Sequence, residues 1–247
     1  MKKSPTARSI PVGIRISGIP LMGRPARNSQ GGYIYHVVAR AAKPKPMFRS
    51  EEDYAEFECT LAQAVERFEP RVLAYCVLPK HWHLVLTPRK DGDLSKLMGW
   101  LTTTHSARWH AKPRRSGTGG LYERRFRSFP VQDDLKLLDV LSFVESNPVR
   151  TGLVLSALDW QWSSLPRRSQ PNASGRPVLS SPPVPLPNRW TNYVAREIPV
   201  AVLEEIKHCI KRSCPYGEST WVQKTAVRLG IETTLRPRGR PKKDSVV

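Results

Sequence analysis

The stretch Tyr75-Cys76-Val77-Leu78-Pro79-Lys80-His81-Trp82-His83-Leu84-Val85-Leu86 leaves this chain few ways to fold. Two apolar runs, 71–78 and 81–87, meet at a Pro-Lys bend. That is the pattern of two adjoining strands. Side chains alternate faces along a strand. His81 and His83 therefore share one face, and Trp82 takes the other, where it can anchor the strand in a core. Two neutral imidazoles on one face can share a divalent metal ion. Alone, His-x-His is a weak motif, because a lone match carries a high false-positive rate.

The flanking periodicities place this strand pair in a larger order. Gly31-Gly32 opens a β-like run over Tyr33–Arg40. Tyr54, Phe57, Leu61, Ala64, Val65 and Phe68 recur at three- and four-residue spacing, which predicts a helix over 51–68. Ser50 with Asp53 three residues on reads as its N-cap signal. Leu94, Leu97, Met98 and Leu101 predict an amphipathic helix over roughly 93–110. A strand is expected within 121–132 and a helix over 133–147. That helix should stop near Asn147, because Pro148 disfavours helical geometry in the residue before it. The order β-α-β-β-α-β-α predicts an α+β, ferredoxin-like (RRM-like) fold: an antiparallel sheet with packed helices.

Composition divides the chain further. Residues 1–30 read as a flexible basic arm, with Met22 an alternative start, and residues 31–165 as the main domain. Seven prolines mark 166–187 as a linker. Residues 188–235 regain helical periodicity and predict a small helical unit, and residues 236–247 form a basic tail. The 247 residues carry 40 Lys+Arg against 21 Asp+Glu, a formal charge of +19. Such a charge favours a polyanionic partner, nucleic acid first. The four cysteines, Cys59, Cys76, Cys209 and Cys214, lack CxxC spacing, which argues against a zinc ribbon or a disulfide framework. No stretch reads as a signal peptide or a membrane span, so a cytoplasmic protein with no membrane partner and no small-molecule substrate is expected.

Five motifs in order give a specific resemblance. They are Gly32-Tyr33-Ile34-Tyr35-His36-Val37, the Ala74-Tyr75-Cys76 run into His81-Trp82-His83, Gly120–Phe126, Asn147–Leu153 and Asp159–Ser164. Over about Met22 to Trp162, and again from Cys214 to Lys243, the chain resembles the single-tyrosine HUH transposases. Within these it most resembles the REP-associated tyrosine transposases. The resemblance implies metal-dependent cleavage and rejoining of single-stranded, hairpin-forming DNA in DNA transposition. It implies a divalent metal, Mg²⁺ or Mn²⁺, held by His81, His83 and Asn147. It also implies a tyrosine that attacks phosphorus and leaves a 5′-phosphotyrosine, at a position that falls on Phe143, four residues before Asn147. Residues i and i+4 share a helix face. Phenylalanine has no hydroxyl and cannot form the covalent intermediate, and Ser142 stands where the family usually has Arg. Tyr122 is the one nearby candidate to replace the nucleophile.

The DNA-binding features do not depend on that tyrosine. Arg108, Arg114, Arg115, Arg124, Arg125 and Arg127 crowd one segment, with Trp109, Tyr122 and Phe126 between them as candidate base-stacking rings. Pro237-Arg238-Gly239-Arg240-Pro241 resembles an AT-hook core, with Arg238 and Arg240 suited to a narrow minor groove. Three functions are thus open: a transposase-family protein on hairpin DNA, with or without a homodimeric assembly; a catalytically silent DNA-binding regulator on the same fold; and an RNA-binding protein.

Overall fold

The computed structural model describes residues 29–42, 46–113, 115, 117, 119–168 and 175–236. Strand β1 (Ile34–Arg40), helix α1 (Glu51–Phe68), strands β2 (Arg71–Leu78) and β3 (His81–Thr87), helix α2 (Asp93–Ala111), strand β4 (Arg127–Val131) and helix α3 (Leu135–Glu145) follow in the expected order. The sheet runs β2-β3-β1-β4, and every pairing is antiparallel. The first strand lies in the middle, as the split βαβ arrangement requires.

Period two sorts the strand residues between two cores. Tyr35, Val37 and Ala39 of β1 and Trp82, Leu84 and Leu86 of β3 pack beneath α1 and α2. Ile34, Val38, Val85 and Phe129 face α3 on the opposite side. Trp82 is fully buried, as expected of the anchor. Truncating such a residue costs about 3–5 kcal/mol. Asp53 departs from its expected capping role. Ser50 occupies the N-cap of α1 without a side-chain cap bond. The Asp53 carboxylate instead accepts from the Arg49 amide, Lys112 and both terminal nitrogens of Arg115.

Helix α3 ends at Glu145, and a further short turn, α4 (Asn147–Arg150), continues past Pro148. After α5 (Ser164–Arg167), the chain forms α6 (Trp190–Val194), α7 (Val200–Arg212) and α8 (Ser219–Leu229). Helices α6 and α7 share the core of the main domain. Trp190, Val194, Ile206, Cys209 and Tyr216 belong to the same core as α3 and β4. Tyr216 also extends the sheet edge: its amide donates to Pro130 O at 2.9 Å, and its carbonyl accepts from the Gln132 amide at 2.9 Å. The described part of the Pro-rich segment covers the other edge. The Ser180 amide donates to Val72 O at 2.7 Å, and Arg71 donates to Ser181 O at 2.7 Å. A covered edge strand cannot pair with another chain.

No helix among the described residues is long and apolar enough to cross a membrane. The proposed arm up to residue 28 and the tail from residue 237, with Arg238 and Arg240, lie outside the described residues. Arg114 does too.

Candidate functional site

On the α3 side of the sheet a pocket of about 570 Å³ opens where β1, β3 and β4 meet α3, α4 and α7. His81, His83, Phe143 and Asn147 all line it. The register explains why. His83 pairs with Val38 and His81 with Arg40, so both histidines stand on the strand face that α3 covers. Phe143 in the last turn of α3 and Asn147 at the start of α4 look into the same space. The four residues implied by resemblance are therefore brought together.

His83 is almost wholly buried, and its Nδ1 lies 2.8 Å from Nε2 of His36, a fully buried histidine of β1. One proton is shared in that bond, and the tautomer decides which ring donates. The Nε2 of His83 has no hydrogen-bond partner. Burial holds all three imidazoles neutral: His36 falls to about 3, His81 to about 4, and His83 well below the usual histidine range. For His83, the neighbouring His36 and His81 add to the effect of burial.

A neutral imidazole with one nitrogen hydrogen-bonded and the other free has the form of a metal-ligating histidine, whose second nitrogen is fixed by an outer partner. The donor set of two imidazoles and an amide fits a divalent ion. It suits Mn²⁺ better than Mg²⁺, which prefers oxygen ligands. No group of three His, Cys, Asp or Glu side chains among the described residues could hold a metal, and Asn147 is the further oxygen donor that lines the pocket beside the two histidines.

The Phe143 ring is 5% exposed, and it is enclosed by its neighbours. It meets His83 edge-on at 5.7 Å between centroids, and the Arg150 guanidinium sits 4.2 Å over its centroid. Arg150 also donates to Phe143 O at 2.7 Å and to the Ser146 hydroxyl. Burial lowers Arg150 to about 10, which still leaves it charged at neutral pH. Arg40 and Arg127 line the same pocket, and among the described residues no carboxylate does. Such a lining suits an anion, and a phosphate matches guanidinium geometry. From α7, Leu203, Lys207, Ile210 and Lys211 complete the lining.

Several sequence expectations are corrected. The Tyr122 hydroxyl accepts from Trp82 Nε1 at 3.1 Å and lies 2.6 Å from His105 Nδ1. It is thus on the α1–α2 side of the sheet, opposite His81 and His83, and cannot replace the nucleophile. Trp109 and Phe126 are buried in that same core, so neither is a base-stacking platform. Arg115 is held against Asp53 at 2.9 and 3.0 Å and stacks on Trp109, and Arg108 bonds Thr60 and Gln63. Both arginines tie α2 and its following loop to α1. Arg124 and Arg125 are exposed beside a smaller pocket along α2, away from the histidines. Among the described residues, Arg127 is the only predicted arginine that lines the histidine pocket.

His36, Arg40 and Arg150 were missed. Strand alternation offered a signal for the first two, since residues 36, 38 and 40 share a face. Arg150 stands seven residues, two helical turns, after Phe143.

Comparison with known proteins bears on the family and the fold. Residues 29–147 match the family Transposase IS200 like. A Haemophilus influenzae protein named as a REP-associated tyrosine transposase is 26% identical over 148 residues, 56% of this chain and 82% of that relative. A solved structure of a REP-associated tyrosine transposase bound to a REP hairpin shares the fold, with a TM-score of 0.51 and 15% identity. The match covers 64% of this chain and 99% of that one.

Proposed function

From the premise that residues 29–147 form a domain of the IS200-like transposase family, we propose that this protein binds hairpin-forming single-stranded DNA in the histidine pocket and does not cut it through a phosphotyrosine. The observation that carries the reading is the pocket's composition: two neutral histidines, an asparagine and three arginines surround a phenylalanine at the nucleophile position. The arginines receive the phosphodiester. His81, His83 and Asn147 would hold a divalent metal, which when bound supplies Lewis-acid polarisation of a phosphoryl oxygen. His36 orients His83 through the shared proton.

Phe143 supplies no oxygen to attack phosphorus. The missing oxygen favours the catalytically silent reading, and the Arg150 guanidinium sits over the ring face. The relatives' association with REP hairpins supports a palindromic DNA partner here.

The test is denaturing electrophoresis of the full chain incubated with labelled hairpin DNA and Mn²⁺, alongside a native binding assay. Binding without a covalent band is expected. A strong covalent band from the unmutated protein overturns the reading. In the same preparation, His81→Ala should abolish Mn²⁺ binding by titration calorimetry without unfolding the protein, because His81 stands at the pocket rim and has no burial as complete as that of His83.

A further inference from the structure

The family match ends at residue 147, yet one wall of the histidine pocket comes from α7, more than fifty residues beyond it. Leu203, Lys207, Ile210 and Lys211 occupy positions i, i+4, i+7 and i+8, a single stripe along the helix. The adjacent stripe explains how the wall is fixed. Ile206 and Cys209 are buried in the core shared with α3 and β4, and Ile210 borders both. Helix α7 cannot pack there without turning its lysines toward the arginines of β1, β4 and α4.

We propose that α7 is a second phosphate-binding wall, and that the pocket is a cleft clamping the backbone of one extended DNA strand between Arg40, Arg127 and Arg150 on one side and Lys207 and Lys211 on the other. This rests on the DNA reading given above. Charge and shape both support it. Among the described residues five cations and no carboxylate line the cleft, so an unliganded pocket is left with like-charge repulsion that a polyanion relieves. Lys207 has a surface partner, Glu204 Oε1 at 2.8 Å, and the pair is more than half exposed. A pair of that kind contributes little and yields readily to a phosphate. Lys211 is exposed on the same stripe. Leu203 and Ile210 place apolar surface between and beside the charges, which suits a base face or sugar. A pocket of about 570 Å³ admits a strand or an extruded nucleotide, whereas an intact duplex keeps its bases stacked inside.

The test measures binding of the full-length chain to a hairpin with a single-stranded 5′ extension, and to an unstructured oligonucleotide, from low to high salt. Each phosphate neutralised on a single strand contributes about 0.7 to the slope of log affinity against log salt. Lys207→Ala with Lys211→Ala should therefore flatten the slope by about 1.4 and weaken binding to both probes. Lys207→Arg with Lys211→Arg should keep the original slope. Lys224→Ala, an exposed lysine of α8 outside the pocket, should leave it unchanged. An unaltered slope in the double alanine variant, with hairpin binding intact, overturns the α7 wall and leaves the DNA reading standing. An equal loss from Lys224→Ala overturns it too, since general charge would then account for the effect. A wild-type chain that binds neither probe overturns both proposals.

Discussion

At the residue scale the decisive group is Phe143. Tyrosine differs from it by one oxygen, and the surroundings in which that oxygen would act are present. His83 meets the ring edge-on, Asn147 follows one helical turn later, and Arg40, Arg127 and Arg150 border the same pocket. Phe143→Tyr should therefore form some covalent adduct with labelled hairpin DNA when Mn²⁺ is supplied, where the unmutated chain forms none. Recovery should be partial. Arg150 is engaged by the ring, by Phe143 O and by Ser146, so the phosphate must draw it away. Ser142, which stands where the resemblance expects an arginine, has no guanidinium to help; it is buried, and its carbonyl accepts from Ser146. A complete absence of adduct, with hairpin binding retained, would mean that the loss of activity extends beyond the missing hydroxyl. The histidines differ in how safely they can be tested. Removing His83 leaves His36 buried without its partner, and an orphaned buried polar group costs about 1–3 kcal/mol, so His81 is the cleaner probe.

At the element scale, the strands and long helices were legible because each has one strong period. Helix α1 and strands β2 and β3 fall on the residues that alternation and three-four spacing indicate. The C-terminal helices were legible as helices, but their attachment was not. Prolines and small polar residues in 166–187 have a linker's composition, yet the described part lies along β2 and ends in α6, which is pinned by Glu145. That carboxylate is fully buried at the end of α3. It accepts from Trp190 Nε1 at 2.6 Å, from Arg168 Nε at 2.9 Å and from the Ser164 hydroxyl. No local pattern reveals a single acid that unites residues from two later helices. Glu145→Ala should cost about 3–5 kcal/mol, the usual penalty for leaving one member of a buried ion pair alone. Denaturant unfolding of the unmutated chain should show one cooperative transition, since α6 and α7 share the core of α3. Two separate transitions, or an unchanged midpoint in Glu145→Ala, would contradict this account of how the C-terminal helices are held. The arginine segment was misread for the related reason that charge runs do not announce their partners. Asp53, one acid on α1, claims both Lys112 and Arg115.

At the scale of the whole molecule, the excess of 19 positive charges resists compaction, and among the described residues the fold places cations and no carboxylate around the pocket. A polyanion bound there should stabilise the folded chain, while acid should act in the opposite direction through the buried histidines. His36 and His81 are lowered to about 3 and about 4, and burial likewise holds His105 at about 3. In the unfolded chain the same rings titrate near 6.5. Between these limits the unfolded state binds more protons than the folded state, so stability rises with pH across that interval. The histidine contribution is fully present above about pH 6.5 and is lost progressively as the pH falls toward the folded-state values. Asp53, lowered to about 2 by Arg115 and Lys112 against the opposing effect of its burial, adds a further loss only below its ordinary range near 4. The expected profile is a fall in denaturation midpoint that starts between pH 7 and 6 and steepens toward pH 4, before most carboxylates have titrated. Replacing His105, which lies on the α1–α2 side away from the candidate metal ligands, by Gln tests the cause without disturbing the pocket. Glutamine carries no titrating proton, so the variant should lose less stability than the unmutated chain between pH 7 and 4, whatever its stability at pH 7. Equal losses for the two proteins over that interval would remove His105 from the account and leave acid sensitivity to the carboxylates.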